Sequence, residues 1–390
     1  HMISLKIFKK MPNNVIYGCG LTLLTTLIPF TIKAQTVNDG TLLDGRAKNI
    51  IQTGVPFLLI TPDSRSAAMG EAGVATSPDA NSIHWNPSKL AFTEMPTGVS
   101  LSYAPWLRSI VSDINLSYLS AYHRISDKNV IGGSLRYFSL GSIQLTDAQG
   151  LPQGIYSPYE LGVDFAFARQ FSDNFSMGIA ARYIRSSISN GQFINGQQLQ
   201  PATGFAADLS AYYKNPITLF GKTAELTFGM NVSNIGPKIS YSTNGTRYSL
   251  PTNLKLGGAT SIDIDADSKF TLALDLNKLL VPITAKNDPN SSVISSIFGS
   301  FSDGSNQLRD ISYSLGAEYW LKQQFALRLG YFHEDPTLGN RQYLTTGAGF
   351  RYESFGLDAA YILADPQKNP LGRTLRFTIS FNFGASDKRS

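Results

Sequence analysis

The stretch from Arg373 to Phe383 reads Arg-Thr-Leu-Arg-Phe-Thr-Ile-Ser-Phe-Asn-Phe. Successive side chains of an extended chain point to opposite faces. Leu375, Phe377, Ile379, Phe381 and Phe383 therefore share one face, and Thr374, Arg376, Thr378, Ser380 and Asn382 the other. Such a strand needs an apolar medium on one side and a polar one on the other. A soluble sandwich would supply the apolar side as a second sheet. Here the alternation returns along most of the chain in segments of about ten residues, the length that crosses a bilayer as a tilted strand. The expected fold is all-β, an antiparallel transmembrane outer-membrane β-barrel of about 14 strands. Its aromatic-ended last strand must pair with the first, so that no edge stays open in lipid.

The scarcity of charge agrees. Charged residues make up 16% of the chain, alongside 23 Phe and 18 Tyr, whereas soluble domains average roughly 25% charged. The net charge of +5 is mild. Positives alternate with negatives instead of clustering, which argues against nucleic acid as a partner. Lys6, Lys9 and Lys10 precede an apolar run from Val15 to Ile32, and Ile32-Lys33-Ala34 before Gln35 fits a signal-peptidase site. Residues 1–34 are expected to be a cleaved export signal, with His1 before Met2 a cloning remnant. Cys19, the single cysteine, lies inside that run. The mature chain would then hold no disulfide, thiol nucleophile or thiolate metal site. No later apolar run is long enough for a spanning helix.

Outward-facing sets place the strands, among them Val99/Leu101/Tyr103, Ile114/Leu116/Tyr118/Tyr122, Phe270/Leu272/Leu274/Leu276 and Phe325/Leu327/Leu329/Tyr331. Their connections alternate in length. Short ones are expected at 126–129, 172–174, 216–222, 263–267, 322–324 and 353–354; long ones fall between them, the longest at 278–309. That is the barrel pattern of tight periplasmic turns and longer external loops. Inward positions carry Glu160, Asp164, Asp208, Glu225, Asp275, Glu318 and Asp358 against Arg136, Arg182, Lys255, Arg328, Arg351 and Arg376. The signs nearly cancel, so these groups read as ion pairs in a filled interior; a solute-selective track is the other reading.

Residues 35–96 are unlike strands. Small residues and turn formers dominate, with a short helix expected around Arg65 to Ala72 and a turn around Asn86 to Leu90. So short a segment buries no core of its own. It is expected to pack into the barrel as a hatch, followed by the barrel at 97–384 and a tail at 385–390. Ala68-Met-Gly-Glu-Ala-Gly73 is glycine-rich but lacks the Lys and the preceding strand of a phosphate loop. His84, His123 and His333 are widely separated. No catalytic residue, cofactor site or metal ligand is expected, and the chain does not read as an enzyme. Two external loops stand out as apolar: Pro105 to Val111, containing Trp106, Leu107, Ile110 and Val111, and Val293 to Phe301, containing Ile297, Phe298 and Phe301. Apolar loops fold over the mouth, dip into the lipid interface, or bind a partner.

Thr53-Gly-Val-Pro-Phe57-Leu58, Asp63, Arg65, Ala67-Ala-Met69-Gly70, Gly73-Val74, Asp79, Asn81 and Trp85-Asn86-Pro87, ahead of the barrel strands, resemble the hatch of the PorV family. That family belongs to the type IX secretion system of Bacteroidetes and is a branch of the FadL-like barrels; PorQ-type sisters share much of the pattern. The resemblance implies that Phe57, Arg65, Met69, Gly70, Gly73, Trp85, Asn86 and Pro87 pack as a plug. It also implies a non-enzymatic carrier without a cofactor. Such a carrier receives cargo by a C-terminal signal domain as it leaves an SprA/Sov-type translocon, then passes it to a PorU-containing attachment complex, all in contact with outer-membrane lipid. The external apolar residues would be its anchors. The rival is a FadL-like transporter of hydrophobic small molecules with a pocket near Phe57, Met69 and Trp85; a third reading is a barrel that scaffolds a partner complex.

Overall fold

The computed structural model describes residues 50–105, 113–146, 149–189, 193–194, 197–243, 245–283, 286–304, 306–364, 372 and 374–384. Among these residues, 14 antiparallel strands form a closed barrel, from Thr97–Pro105 to Leu375–Phe383. The last strand closes on the first in unbroken register, from Thr97 opposite Phe383 to Tyr103 opposite Phe377. Short connections gather at the end where the first strand begins and the last ends. One is tighter than expected: Ala202–Leu219 pairs with Lys222–Ile235 as far as Leu219 opposite Lys222, leaving a turn of Phe220 and Gly221, both at positive φ. Long connections occupy the other end and carry their own small hairpins, Ile143–Thr146 with Pro152–Tyr156 and Ile239–Ser240 with Arg247–Tyr248. The loop after Lys269–Leu279 holds a helix, Val293–Gly299, N-capped by the Ser292 hydroxyl on the Ser295 amide at 3.1 Å. Among the described residues no helix is long and apolar enough to cross a membrane.

Strand parity follows the apolar alternation, and the outer band is bare, with Phe205, Leu327 and Leu329 each more than 60% exposed. One strand departs. On Ile114–Arg124 the residues Ile114, Leu116, Tyr118 and Tyr122 point inward, and Leu119 points to lipid. Apolar groups occupy both faces of this strand, so alternation does not choose between them. The plug chooses: Ile114 and Leu116 pack with Val55, Phe57 and Leu58, and Tyr122 packs with Ile83 and Leu90. Polar-in holds only where the lumen wall faces water or charge.

The hatch segment lies inside the barrel. It contains a 3-10 turn at Pro56–Leu59, helices at Ser64–Ala68 and Ser82–Trp85, and a second 3-10 turn at Pro87–Phe92. The first helix is shorter than expected, because Gly70 and Glu71 adopt positive φ immediately after it. The expected export signal lies outside the described residues.

Candidate functional site

Two regions bear on function: the plugged lumen and the rim of long loops. In the plug, the Asp63 carboxylate caps the helix Ser64–Ala68 by accepting from the Ser66 amide at 2.8 Å, and it accepts from the Trp85 indole at 2.7 Å. Arg65 then reaches the wall. Its guanidinium donates two bonds to Glu318, at 2.9 and 2.7 Å, and pairs with Asp79 at 3.2 Å. Glu318 also accepts from Arg328 at 2.7 Å, and Arg328 donates to Asp358 at 2.6 Å. A chain of alternating charge thus ties the plug to three strands. Each member is buried except Asp79 at its end, so each charge has its counter-ion where water does not supply one.

Other wall groups grip backbone. Asp275 accepts from the amides of Gly73 and Val74 at 2.7 and 2.9 Å. Arg136 donates to the Leu58 carbonyl at 2.7 Å, and Arg376 to the Thr61 carbonyl at 2.8 Å. Thr345 accepts from the Gly70 amide and donates to the Ala68 carbonyl. From the plug side, the Asn86 amide bridges the carbonyls of Val74 and Ala211. Pro87 starts the following turn and is buried. Arg182 binds Asp164 and Asp208 within the wall at 2.5 and 3.1 Å. The expected balance of inward charges is met by ion pairs and backbone contacts at most positions, with four variations: Glu160 accepts from the Ser186 hydroxyl at 2.7 Å, Lys255 lies 4.2 Å over the Trp85 ring, and two more involve Glu225 and Arg351. Glu225 is half exposed beside Lys214, and Arg351 lies over Trp320 at 4.4 Å.

Two glycines permit this fit. A Cβ on Gly70, whose φ is +66°, would stand 2.5 Å from the Tyr331 backbone nitrogen, and one on Gly73 would stand 2.3 Å from the Trp85 ring. Phe57 and Met69 fill separate buried clusters. Burial, reinforced by Arg136, pushes the His84 imidazole well below its ordinary value, so His84 is neutral. Its Nδ1 then accepts from Arg136 at 2.6 Å, which leaves the proton on Nε2. Lys89 is pushed down to about 8 by burial; its ammonium donates to the Gly73 carbonyl at 2.6 Å and to Thr76 at 3.2 Å.

At the rim, the helix Val293–Gly299 exposes Ile294 and Phe298, 68% and 70% accessible, while Ile297 is half buried. Phe301 beyond it lies under the Lys278 ammonium at 5.5 Å. Trp106, Leu107, Ile110 and Val111 fall outside the described residues. Sequence reasoning missed exposed Leu308, and also Ile155 on the first loop hairpin. A residue standing alone among polar neighbours gives no periodicity to read, but the alternation of Ile143 and Leu145 was a signal for the hairpin.

Several solved barrels share the architecture. The Pseudomonas putida toluene transporter TodX is 11% identical at a TM-score of 0.50, covering 82% of this chain and 98% of its own. The monoaromatic hydrocarbon channel CymD is 12% identical at 0.50, covering 84% and 99%. A Pseudomonas aeruginosa FadL homologue is 10% identical at 0.41, covering 87% and 100%. At such identities the likeness is one of fold. No curated protein matches. The family model described as type IX secretion system protein PorV matches residues 44–286, more than half of the chain. With an outer-membrane barrel, a plug tied to its wall and this match, the chain belongs to the PorV family of type IX secretion system proteins.

Proposed function

We propose that this protein is a non-catalytic carrier of the type IX secretion system. In this reading it takes exported cargo by the C-terminal signal domain at an SprA/Sov-type translocon and hands it to a PorU-containing attachment complex. The observation that carries the reading is the contrast between lumen and rim. The lumen is filled by a plug tied to the wall by an Arg65–Glu318 ion pair and by hydrogen bonds, whereas the helix Val293–Gly299 holds Ile294 and Phe298 out from the long-loop end. Apolar side chains held outward on a rigid turn are the usual anchors of a protein interface. A folded cargo domain is too large for a plugged barrel, so recognition belongs on the rim. Trp106, Leu107, Ile110 and Val111, outside the described residues, are proposed as further anchors from their apolar sequence alone.

The test is capture of the translocon and of cargo by the double variant Ile294→Asp/Phe298→Asp, purified from native membranes with its barrel folded. Loss of at least one of the two partners is expected; undiminished recovery of both would sink the assignment. The second reading, transport of a hydrophobic small molecule, is favoured by Trp85, which lines a cavity at the outer mouth. Saturable uptake that stops when this cavity is filled would move the assignment there.

A further inference from the structure

The lipid-facing side of the barrel carries a cation at its long-loop end. The strand Phe175–Ser187 turns Phe175, Met177, Ile179, Tyr183 and Arg185 outward, on the face opposite buried Arg182 and Ile184. Phe175 stands beside a tight turn, and Arg185 lies ten residues further along. At about 3.4 Å per residue and a tilt of about 40°, that is about 25 Å of height, the thickness of the apolar band of such barrels. Arg185 therefore stands at the outer border of the hydrocarbon, where lipid headgroups begin.

Its surroundings bring aromatic hydroxyls and no acid. The Arg185 Nε donates to the Tyr159 hydroxyl at 3.2 Å, and Tyr183 is the other polar side chain against it. Tyr159 stacks on Tyr137 at 5.6 Å and Tyr183 leans on Phe205 at 5.5 Å, so both hydroxyls are held in place. Directly across on the neighbouring strands stand Leu161 and Thr203. Hydroxyls orient a guanidinium without cancelling its charge. No carboxylate among the described residues pairs with Arg185. Lys278 supplies the contrast. It shares the outward parity of Leu276 at the same end of the strand Lys269–Leu279, but Phe301 lies against it at 5.5 Å and Asp310 pairs with it at 3.4 Å. The outward cation that the chain covers is given an acid from the chain. Arg185 is left facing the membrane with its charge unanswered.

We propose that Arg185, oriented by Tyr159 and Tyr183, is a docking site for the phosphate of a phosphorylated glycolipid in the outer leaflet, whose acyl chains lie along exposed Val163, Phe165 and Ile179 below it. The planar fork of a guanidinium matches phosphate oxygens in pairs, and the charge supplied is the one the site lacks. The depth and the apolar rows select a lipid over a soluble anion, because the ligand has to bring its own hydrocarbon to the same face. A phosphate held here fixes one lipid against the wall formed by 159–170, 175–187 and 202–219. The proposal does not rest on cargo carrying, since it concerns the outer face of the wall and not the rim.

The test is native mass spectrometry of the full protein released from neutral maltoside micelles that hold either bisphosphoryl lipid A or the same lipid without its phosphates. Retention of the phosphorylated lipid should be roughly tenfold greater, the least that a hydrogen bond to a charged group supplies. Arg185→Gln should remove most of that preference, and Arg185→Lys should keep part of it. Arg169→Gln, an outward cation at the opposite end that lies over Phe171 at 6.0 Å, should leave it intact. Millimolar inorganic phosphate should not displace the lipid. No preference in the unaltered protein, or equal loss in the Arg185→Gln and Arg169→Gln variants, overturns the proposal. Displacement by inorganic phosphate overturns it in favour of a free-anion site, and loss of translocon capture by Arg185→Gln with lipid retention unchanged overturns it in favour of a protein contact. The comparison of the two lipids decides the matter even if a variant fails to fold.

Discussion

Replacing Glu318 by Gln tests whether the plug is held by charge. The carboxylate is 1% exposed and accepts three hydrogen bonds, two from Arg65 and one from Arg328. Gln keeps the shape, removes the charge and turns an amide donor toward one of the two guanidinium groups. Breaking a buried ion pair by removing one partner costs about 3–5 kcal/mol. The two cations do not share that loss equally. Arg328 retains Asp358 at 2.6 Å, whereas the only counter-ion Arg65 retains is Asp79, at 3.2 Å and partly open to solvent, beside neutral hydrogen bonds to Ser77 at 2.7 and 3.1 Å. The loss therefore falls on the plug and spares the wall. Local opening of the helix Ser64–Ala68 should become roughly 10²- to 10³-fold more frequent, since each 1.4 kcal/mol is a factor of ten. Hydrogen exchange in nanodiscs reads this at the Ala67 amide, which bonds the Asp63 carbonyl. Amides of the strand Lys269–Leu279 should keep their protection. Adding Arg65→Met should recover part of the loss, because the unmatched guanidinium is then gone. Plug exchange within threefold of the parent, or equal acceleration of plug and strand amides, would refute the reasoning.

Gly73→Ala should displace Trp85, since the new Cβ would stand 2.3 Å from its ring; overpacking of this kind costs about 1–3 kcal/mol, and indole fluorescence with thermal unfolding reads it. Leu329→Arg, at the centre of the lipid-facing row of Phe325–His333, should lower barrel stability by about 2–4 kcal/mol in denaturant titrations in bilayers, and a neutral outcome would contradict the outward parity. Lys89 is held at about 8 against an ordinary 10.5. The unfolded chain thus binds the extra proton between these values, and stability of the plug should rise as pH increases through that window. The full span is worth about 3 kcal/mol at 1.36 kcal/mol per unit. Lys89→Met should remove the dependence, and a parent protein with a flat profile from pH 8 to 10.5 would count against it.

How far the sequence reaches depends on what each side chain faces. Rows such as Leu272, Leu274 and Leu276, or Leu375 to Phe383, have lipid on one side and polar neighbours on the other, so a period of two is unambiguous. The strand Ile114–Arg124 has lipid outside and the apolar part of the plug inside, and its parity was decided by Phe57, Ile83 and Leu90, residues remote in sequence. The inward charges were legible as a set, but their partners were not. Nothing in spacing tells that Arg136 would hold the Leu58 carbonyl or that Asp275 would hold two amides at Gly73 and Val74. The rim helix was visible only as apolar residues in a long loop, because Ser292 as its cap becomes informative once the turn is known to be helical.

The distribution of buried charge also bears on how a filled barrel could work. Moving the plug aside would strip Arg65 from Glu318, the Gly73 and Val74 amides from Asp275, and three plug carbonyls from Arg136, Arg376 and Thr345. Hydrogen bonds to charged groups are each worth about 1.5–3 kcal/mol, and losing several together exceeds what binding one small ligand at ordinary affinity supplies. A cycle that opens the whole lumen is therefore disfavoured. What remains open to change at low cost is the rim, where Phe298 and Ile294 face outward. In the proposed carrier reading, wall and plug keep the membrane closed, and recognition falls to groups that can acquire a partner without surrendering one.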